Sequence, residues 1–222
     1  MNTEYKGTDA GADQQSAILE AKNLEVQRGD RRLFTGLSFS VCSGTLLHVE
    51  GRNGSGKTTL LRVLCGLMLP QEGSVLWNGS SIHSLREDFA SQVSYFGHLN
   101  GIKDDLTGLE NLKISAELDG WRVSEEHLWH ALDSAGLDGI EDLPVKVLSQ
   151  GQKKRMALAR LMLSQSPVWV LDEPFTALDV KAVESLEARI ATHVAAGGIA
   201  IITTHQDVAL TSGTLERLSL DR

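Results

Sequence analysis

Cysteine is scarce: only Cys42 and Cys65 occur, and no C-x-x-C pairs them. With no signal-peptide-like apolar stretch ahead of them, the expectation is a reduced, cytosolic compartment in which both are small core residues. Long hydrophobic runs are missing as well. The longest, such as Val168-Trp169-Val170-Leu171 and Ile199-Ala200-Ile201-Ile202, are far below the roughly 20 residues a membrane span needs. If the protein serves a membrane process, another chain supplies the membrane part. Basic residues are outnumbered, the net charge being -8. That argues against a nucleic-acid partner, because such binding needs clustered Lys and Arg to displace counterions. At 222 residues the chain holds one α/β domain with a sizeable core.

What is present centres on Gly51-Arg52-Asn53-Gly54-Ser55-Gly56-Lys57-Thr58-Thr59. It fits G-x-x-x-x-G-K-[ST], in which backbone N–H groups cradle phosphates, Lys57 reaches the β/γ-phosphates and the Thr58 hydroxyl binds Mg²⁺. A buried strand over 44–50 enters the loop and a helix from Thr59 leaves it, so a polyanion meets a helix N-terminus. A second chemical element follows at Val168-Trp169-Val170-Leu171, an apolar strand delivering Asp172 and Glu173 at its carboxyl end. One carboxylate there can hold Mg²⁺ and the next can accept a proton from an attacking water, provided the chain bends after Asp172, a bend Pro174 supplies.

The remaining pattern sets the architecture. Residues 1–16 are polar and read as a flexible tail. Two strands joined by a turn at Arg28-Gly29-Asp30 form an antiparallel β layer, and further strands are expected at 74–77 and 92–96. Leucines at turn-like spacing from Leu106 to Leu137 mark a helical insert, and a helix runs from Leu148-Ser149-Gln150-Gly151-Gln152 to about Gln165. Ala177-Leu178-Asp179 opens another helix. The buried strand after it ends at His205, either a satisfied structural histidine or a group that bonds a γ-phosphate oxygen. A last edge strand covers 214–220. Lys153-Lys154-Arg155 reads as a solvated helix start, and His127 and His130 as a solvated helix face with no third ligand nearby.

This order of elements resembles the nucleotide-binding subunits of ATP-binding-cassette (ABC) transporters over residues 18–220, nearly the whole chain. On that resemblance Gly51 to Thr58 is the Walker A loop, with Thr59 beside it also binding nucleotide, Val168 to Asp172 the Walker B strand, Glu173 the catalytic carboxylate, and Asp179 the D-loop residue. His205 is the switch histidine. Leu148 to Gln152 matches the LSGGQ signature, with Gln150 replacing its first glycine. The implied fold is an α/β P-loop NTPase over 17–222 with a mixed central sheet, an N-terminal antiparallel layer and a helical subdomain inserted at about 98–165. The implied chemistry is ATP hydrolysis with Mg²⁺ on Thr58 and Asp172. The implied assembly is a head-to-tail dimer in which Ser149, Gln150, Gly151 and Gln152 face the Walker A loop of a second copy.

Two positions depart from the pattern: Arg28 stands where an aromatic residue usually stacks on adenine, and His98 where the Q-loop glutamine usually lies. A guanidinium can stack on a base, and an imidazole at position 98 makes a contact that titrates near neutral pH. Together with residues 27–34 and 97–103, these narrow the resemblance to ATP-binding subunits of the haem exporters of bacterial cytochrome c maturation. That family implies integral membrane subunits that handle haem, and attachment through them to the cytoplasmic face of the inner membrane. The alternatives are the ATPase of another small-substrate exporter, a non-transport clamp or regulator, and a nucleotide-binding scaffold without turnover.

Overall fold

In the computed structural model, residues 16–97, 101–206, 208 and 212–221 are described. The tail expected over 1–16 thus lies almost wholly outside them. Strand β1 (Ile18–Arg28) turns through Gly29-Asp30 into β2 (Arg31–Cys42), Gly29 taking the left-handed φ of +60° that a two-residue hairpin needs. Buried positions in β1 fall at Leu19 and Ala21, then at Leu24 and Val26. The parity changes because the β1–β2 register shifts between Ala21 and Leu24, with Asn23 at φ +50°. Such a bulge keeps both pairs facing the core. Strand β4 (Glu72–Trp77) pairs antiparallel with β1 across the bulge. There only glycine fits at Gly73, where a Cβ would lie 2.3 Å from the Lys22 carbonyl oxygen. The two-residue β5 (Ser80–Ser81) completes a sheet of order β2-β1-β4-β5.

The second sheet has the order β6-β7-β8-β3-β9 and is parallel throughout. Its strands are β3 (Thr45–Glu50), β6 (Val93–Phe96), β7 (Val168–Asp172), β8 (Ile199–Thr203) and β9 (Thr214–Ser219). The antiparallel and parallel pairings are therefore divided between two sheets. Every residue of β7 and β8 is buried, which is why they read as continuous apolar runs rather than alternations. Helix α1 (Lys57–Leu64) packs between the sheets with Leu60, Leu61, Val63 and Leu64 essentially inaccessible; each such side chain contributes about 1.5–3 kcal/mol. The short α2 (Ile82–Leu85) and α3 (Glu87–Ala90) precede β6.

Between β6 and β7 in sequence stand α4 (Gly108–Leu118), α5 (Glu125–Ser134) and α6 (Gln150–Leu163). They close on a core of their own around Leu112, Leu128, Leu132 and Met156. Thr107 and Glu110 form a capping box that starts α4, consistent with the helical register read from Leu106. Helix α7 (Val180–Ala195) lays Leu186, Ile190 and Val194 on the parallel sheet. Among the described residues no helix is long and apolar enough to cross a membrane. Cys42 departs from expectation. It is exposed, because the alternation of β2 turns Val41 inward and its neighbour out. Cys65 packs against the core, and burial pushes its thiol pKa well up.

Candidate functional site

The loop between β3 and α1 is wound by glycines in conformations closed to other residues. Gly54 and Gly56 have φ of +80° and +106°. At Gly56 a Cβ would lie 3.2 Å from Leu33 Cβ and 3.3 Å from Phe34 Cε1, so the β1–β2 hairpin presses directly on the loop. Helix α1 begins at Lys57 and has no side-chain cap. Its first N–H groups are thus left for an external acceptor. Lys57 is buried and its Nζ donates to the carbonyls of Gly51 at 2.6 Å and Arg52 at 3.4 Å. The ammonium is held over the loop that a phosphate chain would fill.

The strand order brings two carboxylates to that loop. Asp172, at the carboxyl end of β7, is 2% exposed. Its Oδ1 accepts from Thr203 Oγ at 2.7 Å, and its Oδ2 is buried with no partner among the described residues. A buried carboxylate oxygen without a donor is costly unless a cation or donor meets it. Thr58 lines the same cleft, so the pair fits a hard cation with oxygen ligands. Glu173 supplies the bend needed to turn both carboxylates to one side. The left-handed residue is Glu173 itself, at φ +49°, one position earlier than the expected bend at Pro174. Its N–H donates to both the carbonyl and the hydroxyl of Thr203, at 3.1 and 3.0 Å.

Glu173 Oε1 lies 3.5 Å from His205 Nε2, which is 3.2 Å from Asn53 Oδ1. His205 therefore stands at the loop's edge between the carboxylate and Asn53. Its backbone approach is fixed by His48, buried in β3, whose Nε2 meets the Thr204 carbonyl at 3.1 Å. The cleft over the phosphate loop, beside which His205 stands without lining it, measures about 340 Å³, within the range of ligand pockets. Of the residues singled out in the sequence, Arg28, Asn53, Gly54, Gly56, Lys57, Thr58, Thr59, Asp172 and Glu173 line it. Gly51 and Ser55 belong to the loop behind, a Cβ on Gly51 meeting Ser55 Oγ at 2.5 Å. Arg31 and Leu33 line the cleft too. Their place in the strand directly after the turn, facing the loop across Gly54 and Gly56, is the signal that finds them.

Ser149, Gln150, Gly151 and Gln152 do not line this cleft. Ser149 and Gln150 are exposed. Ser149 caps α6 through a reciprocal box: its Oγ accepts from the Gln152 N–H at 3.2 Å, and Gln152 Oε1 accepts from the Ser149 N–H at 2.8 Å. The S-x-x-Q spacing is the sequence mark of that box. Asp179 caps α7, Oδ1 accepting from the Ala182 N–H at 2.9 Å, while Oδ2 accepts from Arg155 Nη2 at 2.6 Å.

The reading of Lys153-Lys154-Arg155 as a solvated helix start is corrected by these contacts. Lys153 pairs with Asp104 at 2.8 Å, Lys154 is 7% exposed, and Arg155 holds Asp179. The first two turns of α6 are covered by other segments, Lys154 meeting the residue that follows β7, so these side chains reach protein before water. Burial lowers the Lys154 pKa, while Asp172 and Glu173 oppose that by attraction. His127 and His130 are exposed on α5, with neighbours in Ser124 and Ser134 respectively. His98 lies outside the described residues.

A phosphate loop, two carboxylates at the end of the next strand but one in the sheet, and a separate signature with Ser149 and Gln150 exposed define the class: a P-loop ATPase subunit of the ABC type. The ABC transporter family model matches residues 34–176. The putative ABC transporter ATP-binding protein of Pyrococcus furiosus superposes with a TM-score of 0.77 at 25% identity, covering 90% of this chain and 97% of that one. A dimeric ATP-binding cassette in a post-hydrolysis state with ADP and Pi shares the fold at 22% identity, TM-score 0.78, over 92% and 97%.

Sequence relatives narrow the class. The cytochrome c biogenesis ATP-binding export protein CcmA of Nitrosomonas europaea is 51% identical over 91% of this chain and 95% of its own length. That of Dechloromonas aromatica is 52% identical over 91% and 100%. The chain belongs to the ABC transporter ATP-binding family and, within it, to the cytochrome c biogenesis ATP-binding export proteins.

Proposed function

We propose that two copies of this chain close head to tail over two MgATP molecules and drive haem-handling integral membrane subunits in c-type cytochrome biogenesis, at the cytoplasmic face of the bacterial inner membrane. One observation carries the shared-site part. The cleft holds the phosphate loop and both carboxylates, yet the signature residues Ser149 to Gln152 are outside it, with Ser149 and Gln150 exposed and Gly151 and Gln152 half-buried. Val180, beside Asp179, is 73% exposed as well, which suits a surface that a second copy covers. The haem part is supported by the relatives' role in cytochrome c biogenesis and by the resemblance carried by residues 27–34 and 97–103. The functional unit is read as 17–222, with a helical subdomain at about 98–165.

In this reading Lys57 leaves the Gly51 carbonyl for the β/γ-phosphates, while Gly54, Gly56 and the N–H groups of Thr58 and Thr59 cradle them. Thr58 and Asp172 hold Mg²⁺, which when bound neutralises charge on the phosphate oxygens. Glu173 accepts the proton of the attacking water, and His205 bonds the γ-phosphate and fixes that water beside Glu173. Arg28 stacks on the base, and His98 takes the Q-loop position. Ser149 and the Gly151 N–H, at the positive end of α6, bind the γ-phosphate of the partner's ATP.

Mixed complexes test this. A complex of one Lys57→Ala copy with one Ser149→Arg copy concentrates both defects in one site and leaves the other intact. It should hydrolyse ATP although each parent is inactive. A mixed complex as inactive as its parents overturns the shared-site reading. Pull-down of the Glu173→Gln protein from detergent-solubilised membranes should bring two copies together with haem-binding membrane proteins; recovery of membrane partners that bind no haem refutes the haem assignment.

A further inference from the structure

The basic run after the signature reaches the catalytic segment from behind. Lys154 Nζ donates to the backbone carbonyl of Glu173 at 3.3 Å and sits 4.6 Å from the centroid of the Phe96 ring, at the end of β6. A buried ammonium that no carboxylate among the described residues pairs with is unusual. Here a carbonyl, a ring face and the field of Asp172 and Glu173 together hold it. The next residue, Arg155, donates to Asp179 Oδ2 at 2.6 Å and, through Nη1, to the Gly136 carbonyl at 3.3 Å. Between these two anchors runs 173–179, whose Glu173 and Ala177 both have left-handed φ, +49° and +63°. The start of α6 lies against the same stretch: a Cβ on Gly151 would be 3.5 Å from the Ala177 carbonyl oxygen. Neither Lys154 nor Arg155 lines the nucleotide cleft.

We infer that Lys154 and Arg155 are positioning residues that clamp both ends of the 173–179 segment to the signature helix, so that engagement of Ser149 by one ATP sets the Glu173 carboxylate that acts on the other. The inference rests on the two-copy reading above. The physical basis is leverage. Residues 173–179 contain two left-handed residues and are tied internally by two backbone bonds, Thr176 N–H to the Glu173 carbonyl at 3.4 Å and Leu178 N–H to the Phe175 carbonyl at 3.2 Å, and such a stretch keeps its geometry only when its surroundings over-determine it. Lys154 fixes the carbonyl of the residue whose side chain must meet the water. Arg155 fixes the cap of α7 at the far end. Because both side chains leave the second turn of α6, which follows directly on the Ser149-capped first turn, a shift of the start of the helix moves both ends of the segment together.

The test is steady-state ATPase kinetics of the complete chain in its membrane complex, with Lys154→Met, Lys154→Arg and Arg155→Gln. Lys154→Met keeps the stem and removes the ammonium, and kcat should fall by about 10- to 100-fold while KM for ATP changes little, since a small misplacement of a reacting group has effects of that size. Lys154→Arg, which keeps the cation, should recover most of the rate. Arg155→Gln should lower kcat, and Arg155→Gln combined with Asp179→Asn should be no worse than either alone. In the Glu173→Gln background, which leaves the backbone carbonyl in place, ATP-driven dimerisation should persist in every variant.

Unchanged kcat in Lys154→Met, a rise in KM that accounts for the whole loss, or an arginine variant as slow as the methionine one overturns the clamp. Failure of Glu173→Gln itself to dimerise overturns the two-copy reading instead. Arg155 is partly exposed and joined to its partner at the surface, so its variants fold even if Lys154→Met does not.

Discussion

Thr203 touches no nucleotide in the proposed mechanism, yet its hydroxyl joins the Asp172 carboxylate to the Glu173 backbone. Oγ donates to Asp172 Oδ1 at 2.7 Å and accepts from the Glu173 N–H at 3.0 Å, in a site with no exposure at Thr203. Thr203→Val keeps the shape and removes both bonds. The Glu173 N–H retains the Thr203 carbonyl at 3.1 Å, so the loss falls on Asp172, whose Oδ2 already has no partner among the described residues. A hydrogen bond to a charged group contributes about 1.5–3 kcal/mol, and an orphaned buried carboxylate puts the loss toward the upper end, about 2–3 kcal/mol. With an m-value of about 3 kcal/mol/M, the urea midpoint of the nucleotide-free protein should fall by about 0.7–1 M. Thr203→Ser keeps the hydroxyl and deletes one methyl, a loss of about 1 kcal/mol. MgATP should recover part of the valine variant's deficit, because a cation at Oδ2 gives the carboxylate a partner. If the valine variant is no less stable than the serine variant, Asp172 does not depend on this hydroxyl and the orphan-oxygen argument for the cation site fails with it.

Gly56→Ala should weaken nucleotide binding and destabilise the chain by about 1–2 kcal/mol from the left-handed backbone alone, with Leu33 and Phe34 crowding the new methyl; equal ATP affinity in equilibrium dialysis would contradict this. Acid sensitivity should trace in part to His193, stacked on Trp169 with ring centroids 3.9 Å apart and bonded through Nε2 to the Ile199 carbonyl. Burial lowers its pKa, so the unfolded chain takes up a proton first and stability falls as pH drops below the ordinary imidazole value near 6.5, by less than the about 1.4 kcal/mol per pH unit that one proton sets. His193→Phe keeps the stack and should flatten the change in urea midpoint between about pH 7 and pH 5; an unchanged slope would place the sensitivity elsewhere.

The parts of the site that depend on neighbours in sequence were legible from residues alone. The glycine spacing of 51–56, the apolar approach of 168–171 to Asp172, and the Ser149 helix start each declare themselves within a few positions. What was hidden depends on contacts between distant segments. The Lys153-Lys154-Arg155 run looks solvated because three adjacent cations usually are. Its burial follows from the end of β7 arriving 19 residues later in the chain, at Glu173. Nothing in the sequence singles out Thr203 within its buried strand, since its value lies in being registered opposite Asp172. Cys42 was misplaced because its side depends on the parity of β2, which a mixed apolar and polar strand leaves open. His98 and the tail fall outside the described residues, so their readings gain nothing from the fold.

The order β7-β8-β3 explains why these pieces form a site rather than an ion pair. Strands in a sheet lie about 4.8 Å apart, so β7 and β3, separated by β8, hold the acidic strand end and the phosphate loop about 10 Å from each other. Were β7 directly beside β3, the Lys57 ammonium and the Asp172 carboxylate would meet and satisfy one another, leaving neither free. With β8 between them, Lys57 instead donates back to the Gly51 carbonyl, and among the described residues no salt bridge joins it to Asp172 or Glu173. The interposed strand also delivers Thr203 to Asp172 and Glu173, and His205 to the edge of the loop. One spacer strand thus sets the gap that, in the proposed mechanism, a triphosphate and its cation would bridge, and supplies the polar groups that hold both sides of that gap while it is open.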